Sequence, residues 1–182
     1  MNDENPQLIY NNIKELLTVG VKNRKHSFHT PVFSNIDEHN IANSRVVVLR
    51  KFNVEDLKLN FHTDNRSPKI EELKKNNLSN FVFYDFNIKV QLRIKTKSII
   101  NNQNEIAKIE WEKTLLFSRK CYLSEKAPSS ETTLPEDGIP KHLKGLEPSK
   151  EESEKGFDNF AVIENQIKSI DWLYLDSSGH RR

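Results

Sequence analysis

Arg45, Arg66, Ser67 and Lys69 are the side chains whose types and spacing offer chemistry: two guanidinium groups and an ammonium to supply charge, and a hydroxyl to supply geometry. Loop N–H groups beside them would complete an anion site of the kind that grips a phosphate. The alternative is a solvated basic loop next to an ordinary hairpin. The segment that carries these residues holds two runs rich in β-branched and apolar residues, Arg45 to Arg50 and Leu57 to Thr63, joined by a short charged connection. They predict a hairpin that delivers the loop at Arg66. Ser67 and Pro68, followed by Glu71 and Glu72 and then Lys74 and Lys75, predict a short helix that begins on that loop.

Other elements must hold this hairpin in place. Asn5 before Pro6 starts a helix whose Ile9, Ile13, Leu16 and Leu17 recur at helical spacing until Gly20 offers a stop. Phe28 to Ile36, interrupted by Pro31, suggests an edge or entry strand. Arg45 to Phe52 and Leu57 to Thr63 are the next two strands, and Phe81 to Phe86 and Val90 to Ile100 follow. In the last of these, alternation sends Val90, Leu92 and Ile94 to one face and Gln91, Arg93 and Lys95 to the other. Glu105 to Tyr122 is the longest helical pattern, with Trp111, Leu115 and Arg119 on one face. Leu123 to Gly156 is rich in Ser, Pro, Lys and Glu and predicts a long functional loop. Phe160 to Glu164 and Ile167 to Leu175 return to strand patterning. The order predicts an α+β, mainly β chain built as an antiparallel meander around a small barrel.

Composition narrows the partners. At 182 residues the chain predicts a single domain over 1–182, and 28 Lys and Arg against 26 Asp and Glu leave a charge of +2, too balanced for nucleic acid. One cysteine, Cys121, allows no internal disulfide and fits a reducing cytoplasm. The acidic N-terminus is unlike a signal peptide, and no apolar run approaches the roughly 18 residues of a spanning helix, so neither export nor a membrane is expected. His26, His29 and His39 lack acidic or thiol ligands at fixed spacing, so no metal is expected. No glycine-rich nucleotide loop occurs.

The runs R-V-V-V-L-R at 45–50, F-H-T at 61–63 and R-S-P-K at 66–69 together resemble the FMN-binding split-barrel proteins typified by pyridoxamine 5′-phosphate oxidase. The resemblance implies a six-stranded antiparallel Greek-key barrel with flanking helices, FMN as cofactor and a homodimer that builds the flavin pocket across its interface. It also implies that Arg45, Val46, Val47, Val48, Leu49, Arg50, His62, Thr63, Arg66, Ser67 and Lys69 hold the flavin phosphate and ribityl chain. Gln91 matches a glutamine that bonds the isoalloxazine edge. Arg50, Arg119 and Arg181 match substrate-binding positions, while no catalytic residue is assigned. Arg50 stands where the family has lysine, and Pro68 where it often has arginine. A histidine two places beyond the H-R of His180 and Arg181 has no counterpart. Period-two counting places Arg45 and Arg50 on opposite faces, so both line one site only if the strand is bulged or the site lies between subunits.

The implied activity is an FMN-dependent oxidase or oxidoreductase acting on a small molecule such as pyridoxamine or pyridoxine 5′-phosphate. The alternatives are a split-barrel protein with another redox task, such as flavin reduction, and a non-catalytic flavin- or haem-binding stress protein.

Overall fold

The structure, a computed structural model, describes residues 5–182; Asp3 and Glu4 of the acidic N-terminus lie outside them. Helix α1 (Pro6–Lys22) begins where the sequence places it. The Asn5 side chain accepts the Gln7 N–H at 2.9 Å, and Pro6 occupies the first turn, where no donor is needed. Gly20 does not stop the helix. It is a packing contact, since a Cβ there would lie 2.8 Å from the Phe28 Cβ.

Among the described residues seven antiparallel strands form one sheet: β1 (Val32–Ile36), β2 (Ala42–Val46), β3 (Lys51–Asn53), β4 (Lys58–Asp64), β5 (Leu78–Asp85), β6 (Val90–Asn102) and β7 (Phe160–Tyr174). Their order is β2-β1-β5-β6-β7-β4-β3. The mainly antiparallel β architecture with flanking helices is as expected, but the six-stranded Greek-key barrel is corrected to a seven-stranded, unclosed sheet whose two edge strands, β2 and β3, are consecutive in the chain. The run expected as one strand from Arg45 to Phe52 divides between those edges. Val47 and Leu49 donate to the Pro31 and His29 carbonyls, whereas Arg50 donates to Asn60 O. Residues 47–50 therefore cross from the β1 side to the β4 side, and Arg45 and Arg50 sit on different edges.

Alternation along the strands makes the core. Phe33, Phe61, Phe81 and Phe83 are buried inside the curved sheet with Leu49, Leu92 and Ile94, and α1 and α2 (Pro68–Lys75) add Leu17, Ile70 and Leu73. Phe33 touches both Phe61 and Phe81, with ring centres 4.8 and 5.1 Å away. Truncating it to Ala would cost about 3–5 kcal/mol. A second cluster lies on the other face of β7, where Phe160 and Val162 meet Ala107, Trp111 and Tyr122.

Two further expectations change. The strands expected at Phe160–Glu164 and Ile167–Leu175 are one strand, β7, whose register to β6 shifts between Lys95 and Thr96. The long helix from Glu105 to Tyr122 breaks into α3 (Glu105–Lys113) and α4 (Leu116–Arg119). The Arg119 guanidinium folds back onto the Trp111 and Thr114 carbonyls, at 2.8 and 3.1 Å, and satisfies the acceptors that a continuing helix would have used. The segment between Leu123 and Gly156 is irregular apart from a helical turn at Lys141–Leu143 and helix α5 (Lys150–Glu154). Among the described residues no helix is long and apolar enough to cross a membrane.

Candidate functional site

Strand β4 ends in Thr63 and Asp64, and a tight turn leads from there into α2. Asp64 is buried and accepts three bonds from Arg66: the backbone N–H at 2.8 Å, Nε at 3.0 Å and Nη2 at 2.7 Å. This fork fixes the turn, and its hydrogen bonds hold the Arg66 pKa above the ordinary value. Ser67 N–H donates to Asp64 O at 3.0 Å. Although Ser67 precedes the helix, its hydroxyl does not cap it. It instead accepts from Lys69 Nζ, which also donates to Thr63 Oγ1 at 3.1 Å.

Lys69 is the least compensated cation of the cluster. It is half-buried, its polar partners are hydroxyls, and among the described residues no carboxylate lies within ion-pair distance of it. Burial, and then the charge of Arg45, lowers its pKa from 10.5 to about 8; Glu72 and Asp64 oppose the change.

Arg45 reaches this place from the edge strand β2. Its Nη1 donates to Asn35 Oδ1, and its Nη2 lies 3.6 Å from Glu72 Oε2. Asn35 and Asn43 are register partners on β1 and β2, and both donate to the Glu72 carboxylate, at 2.7 and 3.1 Å. Burial lowers the Arg45 pKa and Glu72 raises it. Thr63, Ser67, Lys69 and Arg45 thus form a cradle of two hydroxyls and two cations at the start of α2. Such a donor set suits a phosphate ester: the Lys69 ammonium can turn from neutral hydroxyls to a charged oxygen, a bond about twice as strong.

The remaining residues expected at the site are more scattered. Val47 and Leu49 are buried in the core, Val48 is half-buried and Val46 is exposed. None has a polar side chain, so a ligand could take hydrogen bonds from this stretch only through its backbone. Arg50 is exposed. His62 projects from β4 between Phe61 and Thr63, onto the opposite face, against Phe160 at 4.8 Å. Its Nε2 is buried without a partner among the described residues, and burial, reinforced by Arg50, lowers its pKa to about 4. Gln91 lies at the β5–β6 hairpin end, opposite Tyr84 and Leu173, and shares no hydrogen bond with the cradle. Arg181 is exposed over the Tyr174 ring at 5.7 Å, held by paired backbone bonds to Tyr174.

Arg119 is placed differently from its expected substrate role. It is 4 % exposed, stacks on Trp111 at 4.5 Å, and donates to Ser153 Oγ at 3.2 Å and Glu154 Oε1 at 2.6 Å as well as to the two carbonyls above. Its guanidinium is a clasp joining α3, α4 and α5. Two of the three histidines weighed as metal ligands do local work: His26 Nδ1 accepts the Phe28 N–H, and His29 Nδ1 donates to Gly20 O.

Sequence reasoning missed Asp64, Asn35, Asn43 and the role of Glu72. Glu72 follows Lys69 by three residues and so shares its helix face, a legible signal. The asparagines become relevant only through the β1–β2 register, which no local pattern reveals.

The sequence model of the family described as pyridoxamine 5′-phosphate oxidase, FMN-binding domain, matches residues 11–102, just over half of the chain. None of the curated proteins matches this sequence. Among solved structures, a pyridoxamine 5′-phosphate oxidase-related, FMN-binding protein from Nostoc punctiforme superposes with a TM-score of 0.72 at 17% identity, covering 98% of this chain and 89% of that one. PhzG from Burkholderia lata, in complex with tetrahydrophenazine-1-carboxylic acid, gives 0.68 at 14% identity over 99% and 86%. General stress protein 26 from Bacillus anthracis gives 0.52 at 15% identity over 90% and 99%. At these identities the superpositions establish the split-barrel fold and leave the chemistry to the residues.

Proposed function

The chain belongs to the pyridoxamine 5′-phosphate oxidase FMN-binding family, and we propose that it is an FMN-dependent oxidoreductase whose cradle of Arg45, Thr63, Ser67 and Lys69 holds the flavin phosphate. The observation that carries this reading is Lys69: a half-buried ammonium whose partners are two hydroxyls, at the mouth of a helix inside the stretch that matches the family. FMN, when bound, supplies hydride-accepting chemistry. The chain supplies binding and orientation. Lys69 and Arg45 anchor the phosphate, Arg66 stays with Asp64 to hold the loop, and backbone groups of the 45–50 crossing line the approach.

A homodimer is part of the proposal. Gln91 and Arg181 belong to a sheet region with no hydrogen bond to the cradle of the same chain. A two-fold partner would bring the second copy's sheet face to the first copy's flavin, and each pocket would draw on both chains.

The substrate is a small anion. Arg50 and Arg181 are exposed and free of carboxylate partners among the described residues, so either can meet a phosphate or carboxylate. The commitment of Arg119 to Glu154 favours a redox task other than vitamin B6 oxidation, since that arginine is withheld from a substrate phosphate. The aromatic carboxylic acid bound by PhzG is one such alternative substrate class. A cytoplasmic location fits the single unpaired cysteine.

Absorbance of the purified protein, with mass identification of any released chromophore, tests the cofactor. Anaerobic stopped-flow reduction then tests the substrate: bleaching by pyridoxamine 5′-phosphate supports B6 oxidation, and bleaching by NAD(P)H alone supports a reductase. Failure of the reconstituted protein to bind FMN refutes the proposal.

A further inference from the structure

Glu72 occupies an unusual place, because a carboxylate beside a phosphate cradle should repel the ligand. Its surroundings explain its presence. Asn35 donates to Oε2 at 2.7 Å, Asn43 donates to Oε1 at 3.1 Å, and Arg45 Nη2 lies 3.6 Å away. The Glu72 side chain is 12% exposed and that of Arg45 22%. One carboxylate therefore joins α2 to β1 and β2.

That junction matters because of where Arg45 comes from. Strand β2 is the edge of the sheet, paired on one side only. The other cradle cation, Lys69, rides on α2. An arginine on an edge strand has a long, mobile side chain that must be ordered before it can serve a ligand, and ordering it costs rotamer entropy. In this structure the ordering is already done. Asn35 is 2% exposed and uses both ends of its amide, accepting from Arg45 Nη1 and donating to Glu72. The Phe33 ring lies below the guanidinium at 5.8 Å.

We infer that Glu72, together with Asn35, is a positioning residue for the anion site: it clamps β1 and β2 to α2 and holds the Arg45 guanidinium in register with Lys69 before ligand arrives. This rests on the cradle being the phosphate site proposed above. The gain from a preset arginine exceeds the repulsion, because the Glu72 charge is already shared among Arg45 and two amide donors.

Flavin titrations of wild type and Glu72→Gln, with FMN and with riboflavin, test the clamp. Gln keeps the volume and removes the charge. FMN should bind about tenfold more weakly, the scale on which supporting partners of a binding group act, while riboflavin, which lacks the phosphate, should be unchanged. Glu72→Asp should restore part of the loss. In the Arg45→Ala background, Glu72→Gln should cause no further loss, since the group it positions is gone. Tighter FMN binding by Glu72→Gln would show that repulsion wins and overturn the clamp, as would equal losses for FMN and riboflavin. Inorganic phosphate, read by thermal shift, provides the independent arm. If wild type responds to phosphate but not FMN, the flavin proposal fails and the clamp is judged on whether Glu72→Gln abolishes the phosphate response. If wild type responds to neither, cradle and clamp fall together.

Discussion

Lys69→Met should separate stability from binding, with opposite consequences for each. An amine whose pKa falls on folding is charged at greater cost in the folded state. Below about pH 8 both folded and unfolded chains hold the proton, and the folded state carries the whole cost. Between about 8 and 10.5 the folded chain sheds the proton first, so stability rises with pH across that window. A tenfold change in an ionisation constant is worth about 1.4 kcal/mol, so a fully buried lysine with these pKa values would gain on the order of 3 kcal/mol. Lys69 is half-buried, and solvent screening reduces the expected gain to about 2 kcal/mol. Methionine has no charge to relieve. Denaturant unfolding at pH 7.5 and pH 10 should therefore show wild type gaining about 2 kcal/mol relative to Lys69→Met, with other lysines cancelling in the comparison. The same variant loses a charge-assisted contact worth about 1.5–3 kcal/mol, which corresponds to FMN affinity roughly 10- to 150-fold weaker. Parallel stability curves in the two proteins, or FMN affinity within about threefold of wild type, would refute the assignment of Lys69 as the half-buried anchor of the phosphate.

FMN affinity of the wild type should itself decline as pH rises through about 8, because the ligand needs the charged ammonium; titrations at pH 7 and 9 check this, and Lys69→Arg should flatten the dependence. His62 provides the acid counterpart. Its neutral form is favoured by folding, so stability should fall as pH drops from about 6.5 towards 4, by about 2–3 kcal/mol that His62→Phe does not lose, measured by unfolding at both pH values. Arg119→Met should destabilise by about 2–4 kcal/mol, since Glu154 and two helix-end carbonyls each lose one donor, yet leave FMN affinity unchanged. Sedimentation should find a dimer whose dissociation weakens flavin binding; a monomer with tight FMN would oppose the two-chain pocket.

Local chemistry made several elements legible from sequence. Asn5 and Pro6 start α1 because the side-chain oxygen and the missing donor meet the needs of a first turn. The alternation of Val90, Leu92 and Ile94 against Gln91, Arg93 and Lys95 appears in β6 as a buried face and a face where Gln91 is half-buried and Arg93 and Lys95 are exposed. Spacing within a short loop was enough to group Arg66, Ser67 and Lys69, because residues so close in sequence cannot be far apart in space. Tertiary structure decided the rest. The Arg45–Phe52 run divides between two sheet edges because residues 47–50 find carbonyl partners on both sides, a matter of which strands lie nearby. The helix from Glu105 breaks because Arg119 satisfies its terminal carbonyls and is itself paired by Glu154, which lies 35 residues away. Asn35, Asn43 and Glu72 meet only when β1 and β2 pair and α2 packs beside them. Periodicity records which face of an element is apolar, whereas the partners of a polar side chain depend on contacts between elements that no local pattern encodes.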